Sequence, residues 1–80
     1  MSSVWRARDP ERLPRRAGQV GWRVEFDRED GSSHTLLVLL TEGSSYSYGR
    51  LKASMRTLES RERLPQKLLV TPEGELVEAR

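Results

Sequence analysis

The chain has no cysteine, no asparagine and no isoleucine, one histidine, and five aromatic residues in 80. Without cysteine there is no disulfide to cross-link a small fold and no thiolate to hold zinc, which excludes the disulfide-rich secreted class. A lone histidine does not make an ordinary zinc site. His34 follows Asp30, Ser32 and Ser33, but adjacent strand residues point to opposite faces and do not converge into a triad. No Lys-Ser/Thr pair follows Gly43-Ser44-Ser45 in the P-loop pattern, and Glu73 and Glu75 lack calcium-loop spacing. These absences give the expectation of a non-enzymatic protein with no catalytic residues, metal or cofactor. No apolar run reaches the roughly 18–20 residues of a helical membrane span. Residues 1–6 lack the apolar core of a signal peptide. The expectation is a cytoplasmic protein with no membrane partner. Arginine outnumbers lysine 12 to 2, and scarce Asn, Gln and Cys fit a GC-rich, thermophilic source.

What is present centres on Val20–Thr41. Val20, Trp22, Val24 and Phe26 alternate with Gly21, Arg23, Glu25 and Asp27, the period-2 signature of a half-buried strand. A polar stretch containing Asp30-Gly31 follows and predicts a tight turn, and residues 34–41 read as the second strand. A turn of Asp30-Gly31 alone sets Trp22 opposite Leu39 and Val24 opposite Leu37. A three-residue loop sets them opposite Leu40 and Val38. The second strand is apolar on both faces, Leu36, Val38 and Leu40 on one and Leu37 and Leu39 on the other. Two apolar faces need two covers, and one helix supplies only one of them.

Downstream, Ser45 or Ser47 is placed to cap a helix over 47–63, closed by Pro65. Tyr48, Leu51, Met55 and Leu58 fall on one stripe at 3.6 residues per turn. Residues 67–71 and 75–79 read as strands joined by the type I turn Thr71-Pro72-Glu73-Gly74. Upstream, residues 2–8 read as a short edge strand or an ordered tail. Asp9-Pro10-Glu11 resembles a helix start that Pro14 limits to one turn. The expected fold is α+β: one 80-residue domain in β-β-α-β-β order, with an antiparallel sheet, one main helix on one face and a short N-terminal helical turn. Residues 1–18 would be a basic arm and 19–79 the globular core.

Formal charge is +2 overall, but it is unevenly spread. Residues 1–20 set five Arg against Asp9 and Glu11, and residues 44–67 set six cations against Glu59 and Glu62. The segments between and after them are net acidic. An anionic partner would meet the arm and the helix. The candidate DNA- or RNA-contacting residues are Arg12, Arg15, Arg16, Tyr46, Arg50, Lys52, Arg56 and Arg63, which point to a small nucleic-acid-binding or regulatory module. The alternative is a protein-interaction module, a homodimer or a binder of another protein, using the apolar face of strand 34–41. Its candidate interface residues are Trp5, Leu37 and Leu39. Among the aromatics, Tyr48 and Trp22 are expected in the core and Tyr46 and Trp5 at the surface.

Overall fold

The computed structural model describes residues 4–14 and 20–79. Its centre is the expected hairpin, β3 (Gly21–Asp27) and β4 (Ser33–Leu40), paired antiparallel. A five-residue connection, not a two- or three-residue one, joins them, so Trp22 lies opposite Val38 and Val24 opposite Leu36. Neither expected register holds. The reason is side-chain chemistry in the loop. The Arg28 N–H donates to the Ser32 carbonyl at 3.0 Å, and Asp30 Oδ1 accepts the Ser32 N–H at 2.8 Å and also bonds the Ser32 hydroxyl. Gly31 supplies the positive φ of 90° that the turn needs. The Ser32 hydroxyl and amide together hold the Asp30 carboxyl below the usual carboxylate range.

The chain leaves β4 and forms α1 (Tyr48–Leu58), then β5 (Lys67–Val70) and β6 (Leu76–Glu78). β5 pairs parallel with β4 and antiparallel with β6. The sheet is therefore mixed rather than antiparallel. A helix crossover carries the chain back to the end where β4 began, so the next strand runs in the same direction as β4.

α1 is shorter than the expected 47–63. Ser47 caps its start by accepting the Arg50 N–H at 3.2 Å. At the other end Glu59 is the C-cap. The Trp5 N–H takes the Glu59 carbonyl at 3.0 Å, and the Arg28 guanidinium takes the Glu62 carbonyl at 2.7 Å. The first of these satisfies a carbonyl that a helix running to 63 would have bonded internally, and the second satisfies one that such a helix would have left free at its end. Beyond Leu58 the next stripe position holds Glu62, and Pro65 disfavours helical geometry just before it. Arg63 therefore lies off the helix.

The largest departure is at the N-terminus. Where a helical turn was expected, the structure has two short strands, β1 (Arg6–Ala7) and β2 (Glu11–Arg12), both antiparallel to β3. β4 occupies one edge of β3, so β1 and β2 share the other. Arg8 N–H donates to the Glu25 carbonyl at 2.8 Å, and Glu11 pairs with Arg23. Asp9 and Pro10 thus oppose Val24 alone, which is a β-bulge. Proline has no N–H to donate and is tolerated in such an edge bulge. A free helical turn would have left the edge of β3 unpaired, so ladder hydrogen bonds outweigh the local helix-start pattern.

The core lies between one sheet face and α1. Trp22, Val24 and Phe26 of β3, Leu36 and Val38 of β4, and Leu68 and Val70 of β5 meet Leu51 and Met55 of α1. Trp5 belongs to this cluster at 7% exposure, whereas Tyr48 is 45% exposed, the reverse of the expectation for both. Tyr48 is the first residue of the helix and projects beyond the packed region. Tyr46 instead packs against the core, with its hydroxyl 2.9 Å from Ser54. It holds the position before the Ser47 cap, the outer place of the hydrophobic-staple pattern.

Candidate nucleic-acid interface

The bulged edge strand and α1 enclose an open cleft of about 450 Å³. The wall from the strand carries Arg6, Arg8 and Asp9, and the helix wall carries Lys52, Arg56 and Glu59. Ala7, Pro10 and Met55 supply its apolar lining. The cleft exists because Trp5 pins the strand to the helix end. Besides its backbone bond to Glu59, the Trp5 indole N–H faces the Glu62 carbonyl at 3.5 Å, and the Arg28 guanidinium stacks 4.0 Å from the ring centre. Glu59 adds a second tie, its Oε2 accepting the Ala7 N–H at 2.7 Å.

The four cations differ in availability. Arg8 donates to Asp27 at 2.6 Å, and that hydrogen bond and charge hold its proton more tightly than usual. Lys52 lies 3.5 Å from Asp9, with both side chains largely in solvent. Exposed pairs of this kind are weak and exchange readily for another anion. Arg6 and Arg56 have no ion-pair partner among the described residues. Four cations line the cleft against two carboxylates, Asp9 and Glu59, so it presents net positive charge. Tyr48, Lys52 and Arg56 follow one another at four-residue spacing on α1, each step a rise of about 6 Å. The Lys52 ammonium sits 5.7 Å from the exposed Tyr48 ring.

The structure does not gather all the sequence candidates. Lys52 and Arg56 are in the cleft. Arg12 lies on β2 with its guanidinium 5.9 Å from the Trp22 ring. Arg50 stacks 4.8 Å over Tyr46 and lies beside Gly74 of the β5–β6 turn, on the other flank of the helix. Arg63 is exposed in the segment between α1 and β5. Arg15 and Arg16 fall outside the described residues. Leu37 and Leu39 lie half-buried on the sheet face turned away from α1. Trp5, also expected at an interface, is inside the fold. Arg6 and Arg8 were missing from the sequence candidates. Their signal was the run Val4-Trp5-Arg6-Ala7-Arg8, whose strand reading alternates the cations Arg6 and Arg8 with the apolar Trp5 and Ala7.

His34 has a structural role. Its Nε2 lies 2.8 Å from the Pro65 carbonyl, and its ring is 6.0 Å from that of Trp5. Among the described residues no group of three or more His, Cys, Asp or Glu side chains is arranged to hold a metal ion. No described helix is long and apolar enough to cross a membrane. Comparison with protein-family models, curated proteins and solved structures found no match to this chain.

Proposed function

We propose that the protein binds nucleic acid, holding a strand along the cleft between the N-terminal edge strand and α1. The observation that carries this reading is the convergence of Arg6, Arg8, Lys52 and Arg56 on one open cleft, in line with the exposed ring of Tyr48. Phosphates would sit between Arg6, Lys52 and Arg56, and Tyr48 would offer a stacking platform to an unpaired base. A single strand, DNA or RNA, fits this use better than a duplex, because a base must be free to reach the ring.

Fluorescence anisotropy with labelled single-stranded DNA, single-stranded RNA and duplex tests the reading. If three cations each displace a counterion, log K against log salt should have a slope of about −2 for a single strand. Arg56→Glu combined with Lys52→Glu should abolish binding, and Tyr48→Ala should weaken a single strand by about 1–3 kcal/mol while leaving duplex binding unchanged. No anisotropy change at tens of micromolar protein in low salt would remove the proposal, as would undiminished binding by the doubly charge-reversed variant.

A further inference from the structure

We infer that the sheet face opposite α1 is covered by a second copy of this chain. The residues of this face can be read from the strand registers. Gly21, Leu39, Leu69 and Val77 stand in one row across four strands, and Leu13, whose N–H donates to the Gly21 carbonyl at 3.0 Å, extends it. The neighbouring row is Glu11, Arg23, Leu37 and Lys67. The leucines of both rows are only partly shielded, and Val77 is 41% exposed. The helix packs on the other face, against Val24, Phe26, Leu36 and Val38.

The charges around these leucines select the occupant. Glu11 and Glu25 lie among Arg23 and Lys67 in the zone flanking the apolar row, and at the far end Asp27 bonds Arg8 at 2.6 Å, with Arg6, which also borders the cleft, opposite it. A nucleic acid or an acidic protein would call for a strongly positive surface, and a basic protein for a strongly negative one. Here three carboxylates are interleaved with four cations around an apolar centre, so the face carries both halves of each ion pair and can complement itself. A two-fold axis lying in the interface generates every cation–carboxylate contact twice, once in each direction. The size fits a weak, reversible association. β3 and β4 run seven and eight residues, but β5 and β6 only four and three and the edge strands two each. At about 3.3 Å per residue and about 4.8 Å between strands the face projects roughly 400 Å², below the roughly 800 Å² per partner of a standard interface and in the range of transient contacts. A chain of 80 residues also buries only about 60% of its unfolded surface on its own, so a second layer on the sheet adds to a thin core.

Sedimentation velocity of the full chain, without nucleic acid and over a wide concentration range, is the test. The expected result is a reversible shift from the 9.2 kDa chain mass to twice that value. Leu39→Glu should return the protein to the single-chain mass. Val77→Glu, at a more exposed position and thus a milder perturbation of the fold, should raise the dimer dissociation constant at least tenfold with an unchanged circular dichroism spectrum. Lys67→Glu should also weaken the dimer, and Glu25→Lys added to it should restore part of the loss. A single-chain mass at every concentration would overturn the inference, even if another protein were found to bind this face. So would a dimer that neither Leu39→Glu nor Val77→Glu weakens.

Discussion

Replacing Trp5 by alanine should destabilise the protein as a core substitution does, although the residue lies near the N-terminus of a short edge strand. Trp5 is 7% exposed, and removing a buried Trp side chain costs about 3–5 kcal/mol. The lost stacking with Arg28 lies within that figure, since such contacts contribute about 0.5–1 kcal/mol at accessible sites. The backbone bond from residue 5 to Glu59 remains possible in the variant and limits the damage. A domain of 80 residues has about 4–12 kcal/mol of stability in all, at roughly 0.05–0.15 kcal/mol per residue. The substitution therefore removes about a quarter of it or more. With about 4–8 °C lost per kcal/mol in a domain of this size, the midpoint should fall by about 12–40 °C. Urea unfolding followed by circular dichroism measures the change. Hydrogen exchange at the Ala7 and Arg8 amides, which bond Glu59 and the Glu25 carbonyl, should report early opening of the edge strand. Trp5→Phe retains most of the buried area and should lose only about 1–2 kcal/mol. A Trp5→Ala protein that loses less than about 1 kcal/mol, the range of ordinary surface substitutions, would refute the placement of Trp5 in the core.

Gly21→Ala should destabilise by about 1–3 kcal/mol, because a Cβ there would stand 2.0 Å from the Val38 carbonyl oxygen, a backbone atom that cannot swing aside. Gly49→Ala should instead stabilise by about 0.4–1 kcal/mol, since nothing lies within 4 Å of the added atom; the two midpoints can be compared by denaturant unfolding. Ser47→Ala removes the helix cap and should reduce stability by about 1 kcal/mol, with the loss of exchange protection confined to the first turn of α1. For Asp30, whose carboxyl is lowered by Ser32, the stabilisation of the loop is present above the unfolded carboxylate pKa and fades as pH falls through the lower folded value. NMR titration should show Asp30 titrating below the usual aspartate range, and Ser32→Ala should move it back toward that range.

The parts of the fold legible in the sequence were those fixed by periodicity. The alternation of Trp22, Val24 and Phe26 located β3, and the spacing of Leu51 and Met55 located the buried side of α1. Pairing depended on groups that periodicity does not register. The hairpin register rests on Asp30 and Ser32, whose side-chain bonds build a longer loop than the Asp-Gly pair alone suggests. The observed register differs from the three-residue-loop alternative by two residues, so Leu36 and Val38 still face the helix. At the N-terminus a local pattern misled, since Asp9-Pro10-Glu11 satisfies the chemistry of a helix start and of an edge bulge equally well. The choice between them is made by β3, whose outer edge is far away in sequence. The candidate site was legible to the same extent. Lys52 and Arg56 follow from helical spacing, whereas Arg6 and Arg8 join them only once the edge strand is in place.

β4 links the two surfaces on which function is proposed. Its pairing with β3 alternates its side chains, so Leu36 and Val38 enter the core while Leu37 and Leu39 remain on the opposite face. The cleft depends on the first set, because α1 packs over those residues and carries Lys52 and Arg56 to the N-terminal strand. The open face is the second set. A one-residue slip of β4 would exchange the two sets, but both would still be leucine-rich and the hydrophobic pattern alone would not oppose it. What opposes the slip is the rest of the sheet. Gly21 allows β3 to approach the Val38 carbonyl so closely that a Cβ there would crowd it, and Leu37 N–H donates to the Gln66 carbonyl at 3.1 Å where β5 begins. Thr41, at the end of β4, donates its hydroxyl to the Val70 carbonyl at 2.7 Å. These contacts are tied to particular residues on both sides of β4, and they hold a strand that hydrophobicity alone would leave free to turn over.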